Sequence, residues 1–91
     1  MLFRSAKDEG IDIKGGRTVS VAKTDNLSVG KELVLEAGEQ VTIKTGDASI
    51  IMKKNGEILI NGKDIMLKGS GKILVKADGD VNVKGSKIAH N

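Results

Sequence analysis

Few side chains in this 91-residue sequence can start any chemistry, because it holds a single histidine, His90, and no cysteine. No Ser/His/Asp relay can be assembled without that terminal imidazole. Twelve Asp and Glu residues are present, but paired carboxylates for glycoside cleavage would have to come from turn residues with no cleft between them. Without cysteine, neither disulfides nor thiolate metal sites contribute. What remains for His90 is metal ligation, a role an imidazole takes only where the fold brings further ligands to it. The sequence predicts a protein that is not an enzyme, and the elements around these residues decide what it is instead.

Those elements follow a repeat. From Lys31 to Val83 an apolar residue, any residue and a second apolar residue recur about every eight positions: Leu33/Leu35, Val41/Ile43, Ile50/Met52, Ile58/Ile60, Ile65/Leu67, Ile73/Val75 and Val81/Val83. A spacing of two is the side-chain period of a strand, and the longer fixed interval marks a repeat architecture. The octads begin earlier, at Ile11/Ile13, Val19/Val21 and Leu27/Val29, with Gly15-Gly16 and Thr24-Asp25-Asn26 as turns. Asp12, Ser20 and Ser28 stand between the paired residues, so each pair faces inward and the middle residue outward. Asn55-Gly56, Asn61-Gly62 and Asp78-Gly79 are strong turn signals. Dense β-branched residues and frequent glycine argue against helix. The expected class is all-β, a β-solenoid, with residues 1–10 as a lead-in segment and residues 11–91 as the β-helical domain.

Composition narrows this further. Hydrophobic residues make up 38% of the chain, yet Phe3 is the only aromatic, so the core must be thin and built from Val, Ile and Leu. Proline is absent, as suits strands whose N–H groups are all in use. The net charge of +3 comes from interspersed Lys, Arg, Asp and Glu, the pattern of a solvated surface. With no aromatic ladder to stack on bases, nucleic acid is not an expected partner. No stretch approaches the roughly 18 apolar residues of a membrane span, and no apolar signal-peptide region opens the chain.

A single chain does not close such a structure well. Three octads per coil would give fewer than four coils, with two open edges and little apolar area. Three copies wound about one axis remove both difficulties, because the strand above each strand then belongs to another chain. About eleven levels at ~4.7 Å would make a rod of roughly 50 Å. The prediction is an intertwined triple-stranded parallel β-helix, a homotrimer of charge +9, three times +3. Its core would be Leu33, Leu35, Val41, Ile43, Ile50, Met52, Ile58, Ile60, Ile65, Leu67, Ile73, Val75, Val81 and Val83. Hexapeptide-repeat acyltransferases also form triangular prisms, but with an interval of six and a catalytic histidine in the body. Ice-binding solenoids carry Thr ladders, whereas here only Thr42 holds a middle position.

The octads, the Leu27-Ser28-Val29-Gly30 unit, the leading Leu2-Phe3-Arg4-Ser5-Ala6-Lys7-Asp8, and the run Leu33-Val34-Leu35-Glu36-Ala37-Gly38 through Gly85-Ser86-Lys87-Ile88 resemble the C-terminal spike of the VgrG family. These are the valine-glycine repeat proteins of type VI secretion, related to the central tail spikes of contractile phages. Val29-Gly30 is the only Val-Gly dipeptide, a departure from the most repetitive members. The resemblance implies a cell-puncturing trimeric needle at the tip of a contractile tube. Its blunt C-terminal end would carry a PAAR-repeat cap and sometimes effectors. It also implies an N-terminal hub joined to the tube protein, so the chain is expected to be a piece of a longer one. Assembly would occur in the bacterial cytoplasm without a signal peptide, followed by secretion on contraction into a target cell or the medium. The alternative is a passive trimerisation stalk or a phage tail-spike or adhesin shaft. That reading would be favoured by a receptor-binding domain beyond Asn91, where the chain is expected to stop.

Three surfaces of this needle are candidate sites. After Gly30 the middle residues become mostly apolar, so Val34, Ile51, Leu59, Met66 and Leu74 are expected to form an outward apolar ladder, either as cross-strand packing that favours strands or as a surface that meets a target membrane or a surrounding partner. The last level of strands, from Ser86 through Lys87, Ile88, Ala89 and His90 to Asn91, offers an open edge on which a cap protein can dock. Finally, continuing the register from Ile88 turns His90 inward, so threefold symmetry would gather three imidazoles suited to Zn or Fe; the alternative is a frayed terminal histidine that binds nothing. Some phage spikes that this chain resembles bind iron through a His-x-His pair, of which Ile88 replaces the first member. No other cofactor is expected.

Overall fold

The computed structural model describes residues 8–89. Among them there is no helix, and the strands are β1 (Gln40–Thr45), β2 (Ala48–Lys53) and β3 (Ile58–Asn61). The chain is all-β, as its side-chain period predicts. The strands form one sheet in the order β1-β2-β3, and both pairings are antiparallel.

This corrects the parallel solenoid pairing expected from the octads. It also corrects the idea that every strand is hydrogen-bonded to other chains, because β2 has neighbours from its own chain on both sides. The reason lies in the connections. Parallel neighbours need a crossover of about a dozen residues, whereas antiparallel ones can be joined by two. Thr45 pairs with Ala48, which leaves the two-residue loop Gly46-Asp47. Gly46 has φ +52 and Asp47 stays at negative φ, the sign pattern of a type II′ hairpin turn. In the second connection the Gly56 N–H donates to the Lys53 carbonyl (3.0 Å) and the Lys53 N–H to the Glu57 carbonyl (2.9 Å). With Gly56 at φ +94, this is the three-residue hairpin loop that ends in a glycine bulge. The Asn55 Oδ1 accepts the Glu57 N–H at 3.1 Å and fixes the turn from inside.

Outside the sheet the backbone is extended and bent at regular intervals. Bends fall at 14–15, 22–23, 30–31 and 38–39, one every eight residues, and resume at 63–64, 70–71, 78–79 and 86. The straight runs between bends carry the apolar pairs, so the sequence period reappears as a backbone period. These runs have no backbone partners. From residue 9 to residue 89, backbone–backbone hydrogen bonds join only residues 39–61.

The chain divides into two units, Met1–Val34 and Leu35–Asn91, and the second holds the sheet. No described residue of either unit is buried. The accessible surface is 10265 Å², against roughly 5,100 Å² for a folded monomer of this mass and roughly 13,900 Å² for its extended chain. The chain alone has therefore withdrawn too little apolar surface from water to offset its conformational entropy.

Candidate functional site

Strand register decides which side chains share a face. Val41 lies opposite Met52, and Met52 opposite Ile58; Ile43 lies opposite Ile50, and Ile50 opposite Ile60. Directly opposed residues in an antiparallel pair point to the same side, so these six apolar residues make two parallel rows on one face. Thr45 and Ala48 extend that face toward the first turn. Alternation sends Thr42, Ile51 and Leu59 to the other face as a single cross-strand row, flanked by Lys44, Ser49 and Asn61. On that side the Gln40 Nε2 donates to the Thr42 Oγ1 at 3.0 Å. The sheet is thus apolar on one face and mixed on the other.

The apolar face is open. Ile43 is 56% exposed, Ile60 61% and Ile58 63%, although a sheet of this amphipathicity ordinarily covers one face. It continues into an open groove of about 380 Å³ between the sheet and the following segment, where Ile43, Ile50 and Ile60 meet Ile65 and Met66. The remaining members of the expected core, Leu33, Leu35, Leu67, Ile73, Val75, Val81 and Val83, lie on extended runs and are all exposed.

The expected outward ladder divides. Ile51 and Leu59 are cross-strand neighbours on the mixed face, and Ile51 is half-buried there. Met66 lines the groove beside the apolar face. Val34 and Leu74 lie on extended runs, with Leu74 85% exposed. Within the second unit of one chain, Ile51, Leu59, Met66 and Leu74 do not form one stripe. Sequence reasoning missed the self-contained sheet itself, although the two hairpin-length gaps, Lys44–Ser49 and Lys53–Glu57, were its signal.

At the C-terminal end, residues 86–89 are exposed and have no backbone partner, while His90 and Asn91 lie outside the described residues. Among the described residues no three His, Cys, Asp or Glu side chains stand close enough together to hold a metal ion. The ion pairs Lys53–Glu57 and Lys54–Glu39, both 3.5 Å, are solvent-exposed and pin the second turn; pairs of this kind contribute little. No family model, curated protein or solved structure matches the chain.

Proposed function

We propose that three copies of this chain assemble into a rigid spike of a contractile injection machine, of the kind that the resemblance to VgrG implies. The observation that carries the reading is the eight-residue bend period in a chain none of whose described residues is buried. Straight runs of about six residues, each with an inward apolar pair, are the sides of a prism whose interior is missing from one copy. Two further copies supply that interior. In the spike the flanking runs, residues 9–38 and 62–89, wind with those of the other copies and gain the backbone partners they lack. The sheet of residues 40–61 forms one wall per copy.

Stiffness is the property such a part needs, and chemistry is not. Axial load on a prism of wound chains is shared by many hydrogen bonds at once, and no chain leaves without unwinding. In this reading the last level, residues 86–91, carries a PAAR-type cap or an effector through edge pairing. His90 of the three copies would be the place for an axial metal ion, which metal analysis of untagged protein tests. Sedimentation equilibrium tests the whole reading. The expected mass is three times 9.6 kDa, and a stable folded species at 9.6 kDa would overturn it.

A further inference from the structure

We propose that the apolar face of the three-stranded sheet is the surface through which copies of this chain recognise one another, and that the sheet fixes their axial register. The inference rests on the assembled reading above and names how its copies meet. Three observations carry it. The six residues Val41, Ile43, Ile50, Met52, Ile58 and Ile60 share one face, and all but the half-buried Val41 stand open to solvent. The sheet's hydrogen bonds are satisfied within the chain except along the outer edges of β1 and β3, so another copy joins it by its face rather than by intercalating a strand. The accessible surface also exceeds that of a compact monomer by roughly 5,000 Å² per chain, a deficit on the scale of an obligate assembly rather than a transient contact.

The register argument comes from the repeats. On either side of the sheet the chain bends every seven or eight residues and presents interchangeable apolar pairs. Chains built only of such runs can slip by one octad and lose no more than their end contacts. The sheet breaks that degeneracy because it occurs once. Slipping by an octad would set its two hairpins against an extended run and leave the six-residue face uncovered. It is also local in sequence, with loops of two and three residues, so its strands pair quickly within one chain while the flanking runs wait for other copies to pack.

Cysteine probes test both parts in the full chain, which has no cysteine of its own. Ile50→Cys is expected to cross-link between copies with a short bis-maleimide, and Ile51→Cys, on the opposite face, at least tenfold less. A trimer in which Ile51→Cys links as readily as Ile50→Cys would overturn the face assignment and leave the spike reading standing. A dimer linked through Ile50→Cys would do the reverse. A monomer would sink both.

For the register, Ile50→Cys is placed in two variants of equal length, one lacking residues 19–26 and one lacking residues 66–73. Each deletion removes one octad and preserves the apolar spacing. When the two are unfolded together and refolded, end-to-end alignment would offset the sheets by eight residues, whereas sheet-directed alignment keeps them level. Mixed pairs, distinguished by mass, are expected to cross-link within twofold of like pairs. A tenfold loss confined to mixed pairs would overturn the register role.

Discussion

At the scale of single residues, the two turn glycines are the positions on which the described fold depends most directly. Gly56 holds φ +94 at the end of the second hairpin loop, a region where a β-branched side chain is strained. Gly56→Val is expected to destabilise the assembly by about 1–2 kcal/mol per chain, read as a lower urea midpoint. Gly79→Val is the matched control. Gly79 is not at positive φ and nothing lies within 4 Å of an added Cβ, so its change is expected to stay within about 0.5 kcal/mol. The sequence makes Asn55-Gly56 recognisable as a turn, because the Asn side chain and the Gly backbone each favour one. It does not separate Gly46 and Gly56 from the other glycines in the gaps, since the need for positive φ arises only once the chain reverses tightly.

At the scale of elements, spacing specifies a face but not a direction. Apolar residues two apart put Val41 with Ile43 and Ile50 with Met52 whether neighbouring strands run the same way or opposite ways. This is why the all-β class and the grouping of those side chains are legible, while the antiparallel pairing is not. Direction is settled by loop length, and an interval of eight that also suits a solenoid hides the two gaps short enough for hairpins. Within a single chain the ladder residues part for a related reason. Alternation holds along the strands but not through the bend at 63–64, after which Met66 reaches the groove. The two faces make opposite predictions for a new charge. Ile50→Lys places an unpaired ammonium on the apolar face and is expected to cost on the order of 3 kcal/mol per chain once that face is covered, abolishing association by sedimentation. Leu59→Lys, on the mixed face, loses only cross-strand packing, about 1 kcal/mol or less, and should leave the mass unchanged.

At the scale of the whole molecule, the spike reading makes packing of the exposed apolar runs and association one event. With no described residue buried, the proposed assembly leaves no packed monomer to populate, so its unfolding equilibrium is expected to contain the protein concentration. For three chains of 91 residues, an unfolding enthalpy near 0.7 kcal/mol per residue gives roughly 190 kcal/mol for the assembly. The equilibrium constant for dissociation to three unfolded chains scales with the square of concentration, so tenfold dilution is expected to lower the melting temperature by about 5 °C. A folded monomer would melt at the same temperature at every concentration, and a dimer of the same chain would shift by about 4 °C, because its smaller enthalpy is divided into a smaller logarithm. Dimer and trimer are therefore too close to separate by melting alone. The dilution series separates either of them from a monomer, and paired with a mass measurement it tells whether the copies are held by the same cooperative transition that forms the strands. A melting temperature that does not move on dilution would mean that each chain finds enough apolar contact by itself, which an accessible surface of 10265 Å² argues against.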